Sequence, residues 1–287
     1  LFLKGFVILE KQIMEIQSIV GSIILIFTGL VTYNGFIKKE YFDKNLFHVD
    51  KILVDKEYHR LMTSGFLHLD WFHFGFNMMA LLSFTSTIEP LFGFGALTGL
   101  YFMSLLGGNF LALYVHRNHG DYSAVGASGA ISGIIFSFII LYPQEDLQLI
   151  MIDISFKAWI LGVLFVIISI FGIKMQSGNI GHEAHLGGAL TGALLTILLQ
   201  PAQALANWWI VLLLVVPTFI FLILIIRNPY VLMIKNYWGE SAHQIKTSFK
   251  KEYRSSQEEL DDLLDKISRK GIGSLTKKEK KRLEDLS

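Results

Sequence analysis

Apolar residues fall along this chain in seven runs, each near the ~20 residues a helix needs to cross a bilayer. The runs are 17–35, 71–88, 92–115, 125–141, 156–173, 183–199 and 208–226. Aromatic residues stand near several of their ends (Tyr33, Trp71, Tyr101, Tyr142, Trp208 and Trp209), as in an interfacial belt. The links at 118–124, 143–155 and 174–182 are short, which makes neighbouring runs antiparallel neighbours in a bundle. The link at 37–70 is long and polar, with Lys38, Lys39, Lys44, Lys51, Lys56 and Arg60 set against a similar number of acids. The pattern predicts an all-α polytopic membrane protein: an amphipathic lead-in at 1–16, a six-span core at 17–200, an additional transmembrane helix at 201–226 and a polar tail at 227–287.

Composition narrows this further. The chain is 52% hydrophobic and 17% charged, with a mean hydropathy of +0.49, too apolar for a soluble globule of 287 residues. It has no cysteine, which excludes a disulfide framework, a thiol nucleophile and a Cys-ligated metal. A net charge of +1 gives no reason to expect nucleic acid as a partner. The first residues lack the short apolar region and cleavage site of a signal peptide, and a leucine at position 1 points to a trimmed or misassigned start. In the mildly basic tail, Leu260, Leu263, Leu264 and Ile267 lie at i, i+3, i+4 and i+7, and Gly271 and Gly273 follow them. Thr276 and Glu279 then form a capping box. The tail therefore reads as a small helical hairpin that docks an unidentified partner or regulates the core.

Polar side chains inside a span are costly unless paired, so each is a functional candidate. Spans two, four and six run in the same direction, and their N-terminal ends carry His73 and Asn77, then Ser128, then His185. These four residues are expected to share one shallow, water-reachable layer. His73 and Asn77, at i and i+4, lie on one helical face and can donate hydrogen bonds to a developing oxyanion. A serine hydroxyl needs a neighbouring base to become a nucleophile. Ser128 has a setting for that in Gly126-Ala127-Ser128-Gly129, whose glycines leave the backbone approachable. Ser132, one turn deeper, is assigned to packing. His185 sits on nearly the same face as Gly188 and Gly192, a G-x-x-x-G pair that lets span six press against span four. No aspartate is placed to orient the imidazole, so the expectation is a Ser128–His185 dyad. The segment His182-Glu183-Ala184-His185 is one residue short of the H-E-x-x-H metalloprotease pattern, and no span has paired aspartates. Neither a metal nor a cofactor is expected.

At these residues the chain resembles the rhomboid family of intramembrane serine proteases. The G-x-S-G of Gly126 to Gly129 and the A-H-x-x-G-x-x-x-G of Ala184, His185, Gly188 and Gly192 carry the resemblance, with the H-x-x-x-N of His73 and Asn77. It implies Ser128 as nucleophile, His185 as base, and His73, Asn77 and the Ser128 backbone N–H as oxyanion donors. Where the family usually has Trp-Arg in the first loop, this chain has His59-Arg60. The resemblance implies a six-plus-one arrangement with the site facing outward and a cytoplasmic N-terminus. The positive-inside rule disagrees, because the first loop and the tail hold most of the Lys and Arg. The implied activity is hydrolysis of peptide bonds in or near transmembrane segments of membrane-protein substrates, within a bacterial plasma membrane. The alternative is a catalytically inactive relative that binds or escorts membrane clients.

Overall fold

The computed structural model describes residues 18–148, 155–175 and 181–227, with 266, 267 and 276. The chain divides into two compact units, Leu1–Asn228 and Pro229–Ser287. The lead-in expected at 1–16 and, three isolated positions apart, the tail hairpin lie outside the described residues.

The first span is α1 (Ile19–Ile37). Its buried residues are Val20, Gly21, Ile24, Thr28, Thr32 and Gly35, while Ile19, Ile23, Ile26, Phe27 and Leu30 are exposed. Small and hydroxylated residues inward with large apolar ones outward is the arrangement a lipid solvent favours, since hydrocarbon does not drive leucines together. The loop that follows folds as α2 (Lys39–Asn45), β1 (Phe47–His48), α3 (Val49–Leu53), α4 (Arg60–Thr63) and a 3-10 turn (Ser64–Phe66). Arg60 organises it from a buried position. Its Nε donates to Glu57 (2.6 Å) and its Nη1 to the carbonyls of Asp43 (2.7 Å) and Leu46 (2.9 Å). His59, at the departure from Trp-Arg, has Nε2 3.2 Å from the Lys44 carbonyl. Phe47, Val49, Ile52, Leu61 and Ala112 give the loop a small apolar core of its own.

The second and third spans are two helical arms, labelled together as α5 (Trp71–His116), that meet at a kink at Gly93, beside the break at 88–92 that the sequence pattern expects. Pro90 removes a helical hydrogen bond and Gly93 takes a non-helical φ 72°, ψ 168°, so one helix ends there and the next begins. Asn109, late in the second arm, donates to the Leu61 carbonyl (2.7 Å) and Ser64 Oγ (3.3 Å), just ahead of the first arm. The arms have therefore doubled back.

Next come β2 (Ser123–Ala124), which pairs antiparallel with β1, and α6 (Ser128–Leu141). The antiparallel pair β3 (Asp146–Gln148) and β4 (Ser155–Lys157) leads to α7 (Ala158–Met175). After it come α8 (His182–Leu199), α9 (Pro201–Ala206) and α10 (Trp208–Arg227). The helical pattern gives no sign of the two short strand pairs, which close loops and add nothing to the spans. Among the described residues α1, α5 and α10 are long and apolar enough to cross a membrane, and α6 and Ala158–Lys174 are shorter apolar helices.

At 1.5 Å per residue, the 14 residues of α6 extend only about 21 Å, well short of a ~30 Å hydrocarbon core. Almost all of α6 is buried, enclosed by both arms of α5 and by α8. The centre of the bundle is thus a short helix whose ends need not reach either surface.

Candidate active site

The sequence pattern places Ser128 a few residues inside a span that starts at 125, but in the structure it is the first residue of α6. The reason is local. Gly126 has φ 133°, a conformation closed to other residues, and its N–H donates to the Ser64 carbonyl (3.0 Å). Ala127 then caps the helix, its carbonyl accepting from Ile131 N (3.0 Å). The N–H groups of Ser128, Gly129 and Ala130 therefore have no carbonyl one turn back to bond. They form the positive end of the helix dipole, at the serine.

Ser128 Oγ lies 2.7 Å from Nε2 of His185, 57 positions later in the chain. Backbone contact between glycines makes this possible. A Cβ at Gly188 would overlap the Gly129 carbonyl, one at Gly192 the Gly133 backbone, and one at Gly133 the Ser104 hydroxyl. Gly129 belongs to the same small-residue face, with the Ala184 carbonyl of α8 3.2 Å from where a Cβ would stand. Ser132 is buried and donates to the Ser128 carbonyl (2.7 Å).

His73 stands across from the dyad. A Cβ at Gly126 would be 3.0 Å from His73 Cε1, 3.1 Å from its Nε2 and 3.7 Å from Ser128 Oγ. Glycine at 126 thus keeps open the gap between the His73 imidazole and the Ser128 hydroxyl. Asn77 is buried on the same arm, and its amide donates to the His73 carbonyl (2.9 Å). Its recorded bond is therefore within its own helix. His182 packs edge-on to His185, with ring centroids 6.2 Å apart, and lies against Gly172 of α7. The two rings do not converge as ligands.

Two supporting residues were not singled out by the sequence pattern as part of the site. Asp70 is the N-cap of α5 and accepts from His73 N (2.7 Å), which sets the turn carrying the imidazole. An aspartate three residues before a histidine at the mouth of a span was the available signal. His68 lies under His73, with centroids 4.9 Å apart at 72°. Its Nδ1 is 3.0 Å from Thr32 Oγ1, whose single proton goes to the Phe66 carbonyl (2.9 Å). Nδ1 therefore carries the proton in that bond, and Nε2 holds a lone pair with no protein partner. Burial, with a smaller push from His73, drives the His68 imidazole down to about 3.

A family model described as the Rhomboid domain matches residues 55–202, and one described as a family of unknown function (DUF6576) matches 243–287. Among curated proteins, "Rhomboid protein 1, mitochondrial" of Saccharomyces cerevisiae is 29% identical over 137 residues, covering 47% of this chain and 40% of that protein. "RHOMBOID-like protein 12, mitochondrial" of Arabidopsis thaliana is 33% identical over 151 residues, covering 47% and 45%. "Presenilin-associated rhomboid-like protein, mitochondrial" of Homo sapiens is 29% identical over 134 residues, covering 46% and 35%. The chain spans less than half the length of these relatives. Their names place them in mitochondria, at odds with the expected bacterial plasma membrane, so only a multi-pass integral membrane location is kept. With the Rhomboid domain covering more than half of its residues, this chain belongs to the rhomboid family.

Proposed function

We propose that the chain is an intramembrane serine endopeptidase that cleaves membrane proteins in or near their transmembrane segments. The observation that carries this reading is the 2.7 Å contact between Ser128 Oγ and His185 Nε2 at the N-terminus of a short, enclosed helix. His185 Nε2 takes the hydroxyl proton as Ser128 Oγ bonds to the substrate carbonyl carbon. The carbonyl oxygen becomes an oxyanion held by the Ser128 N–H, at the positive end of α6, and by His73 across the Gly126 gap. Asn77 supports the oxyanion from the same arm. His185 then returns the proton to the leaving amine, and water hydrolyses the acyl-enzyme by the same route in reverse.

A hydrogen-bonded helix hides its carbonyls, so substrates with helix-breaking or small residues near the scissile bond are preferred. The test is cleavage of a transmembrane model substrate by the purified chain in liposomes. Ser128→Ala and His185→Ala should each abolish cleavage and, for the serine, labelling by a fluorophosphonate. A chain that binds membrane clients yet neither cleaves nor labels would instead be a non-catalytic escort.

A further inference from the structure

His116 and Glu183 form a buried pair that the proposed reaction does not use. His116 ends α5 and Glu183 lies in the first turn of α8, and both are less than 10% exposed. His116 Nε2 is 3.2 Å from Glu183 Oε1, close enough for an ion pair but off line for a good hydrogen bond. The Tyr122 ring covers His116 face to face, centroids 3.6 Å apart and planes within 6°. Burial and the Glu183 carboxylate push the Tyr122 phenol up from its ordinary range. A carboxylate in the first turn of α8 also meets the positive end of that helix.

Glu183 is two residues before His185. At 3.6 residues per turn their side chains leave the helix about 200° apart, on nearly opposite sides. Glu183 is paired with His116 of α5, while His185 reaches Ser128 on α6. Between them the Ala184 carbonyl faces both Gly108 of α5, where it leaves no room for a side chain, and Gly129 of α6, where a Cβ would be a tight 3.2 Å away. A rotation of the turn that separates Glu183 from His116 would swing His185 off Ser128. We propose that His116 and Glu183 are positioning residues, a clamp that sets the rotation of the first turn of α8 and so keeps His185 Nε2 on Ser128 Oγ. This rests on the protease reading for its consequence, but not for the clamp itself.

The experiment uses the full chain in liposomes, with Glu183→Gln, His116→Gln and the double variant. Glu183→Gln keeps the shape and removes the charge. The expected result is a fall in kcat and in the rate of fluorophosphonate labelling of Ser128 of between about ten- and a hundredfold, as for misplaced catalytic groups. KM should stay within twofold, and the double variant should lose no more than the worse single variant. Hydrogen exchange over 181–190 should rise in each variant while that over 128–141 does not. Wild-type labelling rates in Glu183→Gln, additive losses, or unchanged exchange over 181–190 would each overturn the clamp. A wild-type chain that neither cleaves nor labels would overturn the protease reading alone, and the exchange measurement would still decide whether the pair holds α8.

Discussion

Glu89, near the end of the first arm of α5, accepts a 2.5 Å hydrogen bond from Ser18 Oγ, 71 positions earlier. The same carboxylate lies 3.3 Å from Val20 N, and Ser18 Oγ in turn accepts from Gly21 N (2.8 Å). A buried acid on one span thus caps the start of another, satisfying N–H groups that have no carbonyl of their own and no water to replace one. Glu89→Ala should lower stability by roughly 2–3 kcal/mol, the range for losing a buried charged hydrogen-bond partner. Ser18→Ala should cost about 1 kcal/mol as a lost cap. Unfolding midpoints in detergent check both, and because the residues touch, the double variant should cost less than the sum.

The α6–α8 contact is backbone on backbone, so its glycines tolerate nothing larger. Gly188→Ala drives a methyl into the Gly129 carbonyl. Overpacking of this kind costs about 1–3 kcal/mol, and here it also separates the helices bearing Ser128 and His185. Both the melting midpoint and probe labelling of Ser128 should fall. Gly99→Ala, where a Cβ would meet nothing within 4 Å, is the control and should leave both near wild type.

His73 and Asn77 should separate kinetically. Removing one oxyanion donor typically costs 10²–10³-fold in kcat, which is the expectation for His73→Ala at roughly unchanged KM. Asn77→Ala should cost less, because its amide donates to the His73 carbonyl in this conformation. Initial rates over a range of substrate density in liposomes measure the two losses. Equal losses would show that Asn77 turns from its own helix to the oxyanion when substrate binds.

His68 makes stability depend on pH. Its folded-state imidazole titrates near 3, below the ordinary 6.5 that applies once the chain unfolds. Between those values the unfolded chain holds the extra proton, so stability is fully present above about 6.5 and falls as the pH drops toward 3. The slope from this group is at most about 1.4 kcal/mol per pH unit. Melting midpoints of wild type should decline from pH 7 to pH 4, and His68→Gln, which has no proton to gain, should flatten part of that decline.

Hydropathy alone located the apolar helices to within a few residues, because hydrocarbon favours long apolar stretches with every backbone group paired internally. The break between the two arms of α5 was legible too, because a proline followed by glycine interrupts a helix, and the structure has its kink at Gly93. The short strands were not legible, since two or three residues carry no period. The His116–Glu183 pair was also hidden. Its members are 67 positions apart, and each alone is a polar residue at the end of a span.

The sequence by itself determined that this is a bundle of apolar helices, that His73, Ser128 and His185 lie in the first turns of three of them, and that small residues line faces between them. Those properties follow from hydropathy, parity and residue volume, which are local. The tertiary structure decided which atoms touch: Ser128 Oγ on His185 Nε2, Gly126 holding a gap beside His73, Glu89 on Ser18 and Glu183 on His116. Helix rotation and depth settle those contacts to a fraction of an ångström. They are fixed jointly by every neighbouring helix, so no single segment encodes them.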